Sequence, residues 1–142
     1  MGADLRALLK EDYEKWPKDE YEAQRCAFPE AFRALMDDHR MHDYTFEGLR
    51  YENPTGQCYA NPTLVVELSD GPETRYELIF PHIFELEIAT REALDAYFAE
   101  HEDVMLAAAQ FSDGRFEMVM QMASGLGIYV KSAGIDVRKE KW

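Results

Sequence analysis

The sequence predicts an α+β domain: N-terminal helices, then a mainly antiparallel sheet of about six to seven strands with one inserted helix. Apolar residues recur at helical spacing over the first forty positions. After residue 40 the period changes to two, as expected for half-buried strands. Turn sequences separate most of the alternating segments, which favours consecutive hairpins and antiparallel pairing. We therefore expect a single domain over 1–142, with 1–40 helical and 41–142 forming the sheet.

The helical segment divides at its prolines. Pro17 ends a first predicted helix, residues 21–27 can form one or two further turns, and Pro29 suits the first turn of another helix. The first helix places on one face Leu5, Leu8, Leu9, Tyr13 and Trp16. The last carries an apolar stripe of Phe28, Phe32, Leu35, Met36 and His39.

Four alternating segments follow, at 43–52, 64–68, 76–80 and 84–88. The alternation slips at Gly48, which predicts a bulge there. Thr90 is a suitable N-cap for an inserted helix near 90–102.

The C-terminal third is predicted to consist of hairpins. Residues 104–111 suit either an extension of the inserted helix or a strand. We favour a strand because Ser112-Asp113-Gly114 is a hairpin turn leading into the alternating segment 116–122. Methionines at 118, 120 and 122 share one face of that segment, which predicts that they lie in the core. A last hairpin is expected between 128–130 and 135–137, turning at Ala133-Gly134.

Charge is the most informative feature for function. The chain of 142 residues has a formal net charge of −13. Residues 41–102 hold 13 acidic and 3 basic side chains, so the excess is concentrated there. A negative field repels phosphate backbones, which argues against nucleic-acid binding and favours a basic partner. The alternative is that the acidity serves solubility alone.

Other features suggest a cytoplasmic protein that uses no cofactor. The N-terminus is charged and lacks the apolar segment of a signal peptide, and no apolar run is long enough to cross a bilayer. The two cysteines, Cys26 and Cys58, are then expected to be reduced. Neither Cys58 nor Ser124 lies in a nucleophile motif, so no catalytic residue is assigned.

Four glutamates form the predicted partner-binding surface. Glu85 and Glu87 alternate with apolar residues and should share one outward face, with Glu67 and Glu77 on possible neighbouring strands. Such a surface suits docking of a cationic partner, and the alternative is a solvated face without a partner.

A candidate polar site lies where the helices give way to the first strand. His39, His42 and Asp43 are ligand types for a metal, with His82 or His101 as a third imidazole. Metal sites need about three or four converging ligands, and no paired ligand motif surrounds the other histidines, so no metal is assigned. The alternative is that His42 and Asp43 satisfy backbone groups at the turn.

The order of motifs supports a family resemblance. His42-Asp43 heads a strand, residues 76–80 read Tyr-Glu-Leu-Ile-Phe, and a Gly-Ile-Asp-Val strand closes the chain. Over residues 40–139 this resembles a loose class of small uncharacterised bacterial domains, some similar to immunity proteins of polymorphic toxin systems. The resemblance implies a cytosolic bacterial protein, of a class often with no known enzymatic activity. Immunity proteins are commonly acidic and act by blocking a toxin.

Three hypotheses follow. The first is a protein-binding module that is plausibly immunity-like and binds a basic partner through its acidic surface. The second is a small enzyme or metal-binding protein centred on His42 and Asp43. The third is a structural subunit of a homo-oligomer, although the sequence leaves the oligomeric state open.

Overall fold

A computed structural model of the protein describes residues 4–10, 20–52, 62–90 and 103–141. The predicted α+β class is confirmed: the described residues form two short α-helices and eight strands in two antiparallel sheets, rather than about six to seven strands in one. The helices are α1 (Glu20–Gln24) and α2 (Glu30–Asp37). The strands are β1 (Thr45–Glu52), β2 (Thr63–Ser69), β3 (Thr74–Phe80), β4 (Ile83–Thr90), β5 (Val104–Ser112), β6 (Arg115–Met122), β7 (Leu126–Ser132) and β8 (Asp136–Lys141).

Each sheet has four strands, in the orders β1-β2-β3-β8 and β4-β7-β6-β5. The chain passes from the first sheet into the second between β3 and β4, and returns between β7 and β8. β3 pairs with β8 in the first sheet, and β4 pairs with β7 in the second. The chain therefore connects these two neighbouring pairs twice, from β3 to β4 and from β7 to β8. The two sheets also meet where Val104 N donates to Tyr44 O at 2.8 Å, beside a bridge between Thr45 and Asp103. The strands therefore enclose a common interior.

The predicted last hairpin is wrong. β7 and β8 follow one another in the chain but belong to different sheets, so they do not pair. At the junction, the N–H of Ala133 donates to the carbonyl oxygens of Pro81 and His82, and the Ser132 hydroxyl donates to Gly134 O at 2.7 Å. These bonds direct the chain across to the other sheet instead of reversing it.

Most of the other strand predictions are confirmed. β2, β3 and β4 contain their predicted segments, and β1 begins at Thr45, two residues later than predicted. The register of β1 on β2 shifts between Phe46 and Gly48, which places the bulge there. Residues 104–112 form a strand, as favoured. The turn into β6 has Asp113 and Gly114 both at positive φ, the geometry that suits a tight hairpin. The predicted helix near 90–102 lies outside the described residues, apart from Thr90, which ends β4.

The helical region differs in detail from the prediction. The described part of the first helix is a 3-10 helix at Arg6–Lys10, and its predicted continuation lies outside the described residues. α1 and a 3-10 turn at Arg25–Ala27 account for the predicted short turns. Pro29 stands at the N-cap of α2 rather than in its first turn. His39 lies beyond α2, at the start of a further 3-10 turn, His39–Met41.

The main core fills the interior between the sheets and is closed by α2. Phe32, Leu35 and Met36 of α2 pack against the inner faces of the strands. The three methionines of β6 are buried there, which confirms their predicted place. An aromatic cluster lies at the centre of this core, formed by Phe28, Phe32, Phe80, Phe111 and Phe116.

A second, smaller cluster covers the outer face of the second sheet. Leu5, Leu8 and Leu9 of the N-terminal segment pack on Val119 and Tyr129, among others. For this reason β6 is buried on both of its faces, although its sequence alternates.

Candidate functional site

Two of the four predicted partner-binding glutamates belong to an ion-pair network on the outer face of the first sheet. Glu67 and Glu77 are cross-strand partners on β2 and β3. Arg50 of β1 forms ion pairs with both, reaching Glu77 Oε2 from Nη2 at 2.6 Å. Arg75 pairs with Glu67, and Arg138 Nη1 lies 3.5 Å from Glu77 Oε1. Arginines therefore balance the charge of these two carboxylates.

The other two, Glu85 and Glu87, lie on β4 in the second sheet, so the structure does not join all four into one surface. Arg6 Nε lies 2.5 Å from Glu87 Oε2. Glu85 is exposed and stands directly across from Lys131 in the register of β4 on β7. Each of the two glutamates thus has a basic residue beside it.

The predicted polar site is an exposed pair. His42 Nδ1 lies 3.1 Å from Asp43 Oδ1, with the side chains 44% and 77% exposed. Asp43 adopts φ of 73°, and its backbone N–H donates to Val104 O at 3.1 Å. Within the described ranges, no group of three potential ligands among His, Cys, Asp and Glu could hold a metal ion. Asp43 thus contributes to the turn through its backbone N–H, while its side chain contacts His42.

A cleft beside α2 brings together polar residues that the sequence analysis did not connect. It has a volume of about 280 Å³ and lies between α2 and the neighbouring strands β3 and β8. We call it the acidic cleft. Its polar lining consists of Asp38, Tyr44, Asp70, Tyr76 and Lys139. Its apolar lining consists of Ala31, Ala34, Leu35 and Val137.

Each polar residue enters the cleft from a different structural element. Asp38 follows α2, Tyr44 immediately precedes β1, and Asp70 begins the turn between β2 and β3. Tyr76 lies on β3 and Lys139 on β8. The small side chains of α2 at Ala31 and Ala34 leave the space open beside them.

Two tyrosines form the aromatic wall of the acidic cleft. The rings of Tyr44 and Tyr76 are stacked almost parallel, with centroids 5.5 Å apart and planes 6° apart. The Tyr44 hydroxyl donates to Asp38 Oδ2 at 2.8 Å. Burial and this hydrogen bond to a carboxylate raise the pKa of Tyr44 well above its usual range. Tyr44 therefore stays neutral and orients the Asp38 carboxylate.

Lys139 shows that a cation fits beside the aromatic wall. Its Nζ lies 5.8 Å from the centroid of the Tyr76 ring, within the range of a cation–π contact. The acidic cleft thus contains two carboxylates, from Asp38 and Asp70, and one ammonium group. An aromatic face next to carboxylates attracts a cation by both its ring quadrupole and their charge.

Further carboxylates surround this end of the molecule. Glu47, the residue at the bulge of β1, accepts a hydrogen bond from Ser69 Oγ at 2.7 Å, next to Asp70 in the chain. Asp103 accepts one from Thr45 Oγ1 at 3.4 Å. With Asp43, these side chains extend the negative charge outwards from the acidic cleft. The fold, rather than the strand alternation, gathers them.

One buried carboxylate lies elsewhere and has a structural role. Glu117 of β6 accepts hydrogen bonds from the Tyr129 hydroxyl and from Gln110 Nε2, the latter at 3.2 Å. Burial and the bond to Glu117 raise the pKa of Tyr129 above its usual range. Tyr129 packs against the N-terminal segment, and the Glu117 carboxylate is satisfied by these two hydrogen bonds.

Sequence reasoning missed the acidic cleft for a definite reason. In the sequence Asp38 is one of two adjacent acids, Asp37 and Asp38, and Asp70 belongs to the turn sequence Asp70-Gly71-Pro72. The signal available was that three chain reversals near residues 38, 44 and 70 each carry an acid or an aromatic residue. Nothing in a single sequence says that these reversals meet at one end of the fold.

No protein-family model, curated protein or solved structure matches this chain. In the part of the chain that the structure describes, no helix is both long and apolar enough to cross a membrane.

Proposed function

We propose that the protein is a protein-binding module that recognises a basic partner and receives one of its cationic side chains in the acidic cleft. The observation that carries the proposal is the combination of an aromatic wall, Tyr44 stacked on Tyr76, with the carboxylates of Asp38 and Asp70. This combination suits a lysine or arginine side chain better than an anion or an apolar group.

The size and openness of the acidic cleft support a side chain rather than a whole small substrate. Its volume of about 280 Å³ is slightly below the range for small-molecule pockets, roughly 300–1,000 Å³. In its lining the Tyr44 hydroxyl and the Asp38 carboxylate are hydrogen-bonded to each other, an arrangement that suits holding a cation. Binding is therefore the chemistry that this lining supports best.

The charge distribution supports the same proposal at longer range. The net charge of −13 and the carboxylates around the acidic cleft would speed the approach of a basic protein. Blocking a basic toxin, as in an immunity protein, is one role in which such a surface would serve. The metal or enzyme alternative at His42 and Asp43 has no comparable support, because their exposed pair is not joined by a third described ligand.

The proposal can be tested by comparing variants in affinity capture from the native host at low salt. Asp70→Lys reverses a charge on the rim of the acidic cleft, and Tyr76→Leu removes the face of the aromatic wall. The matched control is Glu22→Lys, which makes the same charge change at an exposed position of α1. A partner should be retained by the wild type and the control and lost from the two cleft variants.

Salt dependence provides the second criterion. Because the Debye length is about 10 Å at 0.1 M salt, long-range attraction should weaken strongly between low and physiological salt. For a purified partner, we expect Asp70→Lys to raise Kd by about five-fold or more, corresponding to about 1 kcal/mol for a lost cation contact. A partner that binds Asp70→Lys and Tyr76→Leu as tightly as the wild type would contradict the proposal. Retention only of further copies of the same chain would favour the homo-oligomer hypothesis instead.

A further inference from the structure

The edges of the two sheets differ in how they are covered. At β5, the Gln24 side chain acts as a substitute strand: its Nε2 donates to Phe111 O at 3.0 Å and its Oε1 accepts from Phe111 N at 2.7 Å. The starts of β5 and β1 bond to one another through Tyr44 and Val104. α2 lies beside β8. Among the described residues, the edges at β5 and β8 therefore have neighbours along part of their length, whereas the edge at β1 is bonded only at its start.

The fourth edge is β4, which is the outermost strand of the second sheet. Its first residue, Ile83, donates to Pro62 O at 3.0 Å, and beyond it no described strand pairs with its outer side. In an antiparallel strand that is paired on one side only, every second residue directs its backbone N–H and C=O away from the paired strand. β4 extends over eight residues, so it presents several such groups in a row.

The side chains of β4 add two features to this edge. Glu85 and Glu87 project from the outer face, while Phe84, Leu86 and Ile88 alternate with them. Ile88 is 47% exposed, one of two large apolar side chains so exposed among the described residues. Beside the strand lies a concavity of about 370 Å³ that both glutamates and Arg6 line.

We propose that the outer edge of β4 accepts an extended segment of another polypeptide as an added strand, with basic residues at alternate positions. Backbone groups would pair along the edge, and the basic residues would lie beside Glu85 and Glu87. This surface is distinct from the acidic cleft, and the inference stands without the function proposed above.

The contact between Arg6 and Glu87 supports the chemistry of this partner. A guanidinium from a different part of the chain already reaches Glu87 across the outer face, at 2.5 Å. A basic side chain of an added strand would approach Glu87 from the outer edge of β4. Glu85 lies two residues away on the same face, which matches the repeat of alternate residues in an extended chain.

A second copy of this chain is a less suitable occupant. If two β4 strands paired antiparallel in a continuous sheet, the outer-face residues of one would stand opposite those of the other. Glu85 and Glu87 would then face carboxylates, and like charges directly opposite one another are destabilising. The same glutamates therefore oppose self-association and favour a basic strand.

The test uses a short synthetic peptide of alternating lysine and valine, titrated into isotopically labelled protein at low salt. We expect the backbone amide signals of β4, residues 83–90, to shift, and its outward amides to exchange more slowly with solvent. Glu85→Lys combined with Glu87→Lys should weaken binding by about ten-fold or more, as two charge contacts become repulsive. Glu22→Lys, the same charge reversal at an exposed position of α1, should leave peptide binding unchanged.

Two control peptides separate strand addition from attraction by charge. One has the same composition with its lysines grouped together. The other keeps the sequence but is N-methylated along its backbone, which removes every N–H donor. Both should bind about ten-fold or more weakly: the N-methylated peptide because each lost backbone bond weakens binding by a few-fold, and the grouped peptide because its lysines no longer alternate along the face of Glu85 and Glu87. Equal binding of the N-methylated peptide, shifts confined to residues outside β4, or no binding at all would overturn the inference.

Discussion

Replacing Arg50 by methionine should destabilise the fold, because it removes the main counter-charge of a buried carboxylate. The Glu77 side chain is 6% exposed, and its Oε2 lies 2.6 Å from Arg50 Nη2. Methionine keeps much of the arginine stem and removes the guanidinium. The partner left to Glu77 in this network is Arg138, at 3.5 Å and with its side chain 63% exposed.

The expected magnitude follows from the burial of the two partners. Removing one member of a fully buried ion pair costs about 3–5 kcal/mol, and exposed pairs contribute about 0.2–1 kcal/mol. Glu77 is buried but the Arg50 side chain is 42% exposed, so solvent screens part of the interaction. We therefore expect a loss of about 1–3 kcal/mol in the free energy of unfolding.

The measurement is urea unfolding followed by circular dichroism. With an m value of about 1–3 kcal/mol/M for a protein of this size, the midpoint should fall by roughly 1 M. Arg138→Met is the matched control within the same network, and its exposed side chain predicts a smaller loss. The double variant Arg50→Met with Glu77→Leu should recover stability relative to Arg50→Met, since it no longer leaves a buried charge unpaired.

Two results would refute this reasoning. A midpoint for Arg50→Met within experimental error of the wild type would mean that Glu77 is adequately solvated without Arg50. If the losses of stability for Arg50→Met alone and Glu77→Leu alone add up to the loss for the double variant, the two residues are not coupled. In either case Glu67 and Glu77 would again be open to the docking role that the sequence suggested.

Two further predictions concern stability at other positions. The Tyr21 hydroxyl donates to Asp37 Oδ1 at 3.0 Å, and burial together with this bond raises the pKa of Tyr21 to about 12. The folded state thus favours neutral Tyr21, so its contribution is complete below the ordinary pKa of about 10 and is lost as pH rises through 12. Urea midpoints should therefore fall more between pH 10 and 12 for the wild type than for Tyr21→Phe, and equal falls would contradict this. At Gly127, an added Cβ would lie 2.8 Å from Leu9 Cδ2, so Gly127→Ala should loosen the N-terminal segment and cost on the order of 1 kcal/mol. The loss in midpoint should be smaller in a Leu9→Ala background, and an unchanged loss would show that Leu9 is not the group displaced.

The elements of the fold were largely predictable because their signals are local. A change of period from 3.6 to 2 reflects which side chains face an interior, and that pattern is present in the sequence itself. The same is true of the turn at Asp113-Gly114, where both residues have positive φ, and of the bulge beside Gly48. Their positions were therefore found without knowledge of the fold.

The division into two sheets was not predictable in this way. Two strands joined by Ala133-Gly134 look like a hairpin, but Ala133 donates its N–H to Pro81 and His82, which lie about fifty positions earlier in the chain. Burial of both faces of β6 likewise depends on the docking of the N-terminal segment. Alternation describes one strand and its two faces, and says nothing of which distant segment covers either face.

The functional surface shows the same limit. The sequence alone determined that the protein is acidic, that the excess lies between residues 41 and 102, and that Glu85 and Glu87 share a face. Only the tertiary structure decided that arginines accompany Glu67 and Glu77, and that Asp38, Tyr44, Asp70, Tyr76 and Lys139 line one cleft. The reason is physical: charge and periodicity are properties of residues near one another in the chain, whereas an ion pair or a cleft depends on which distant residues the packed core brings together.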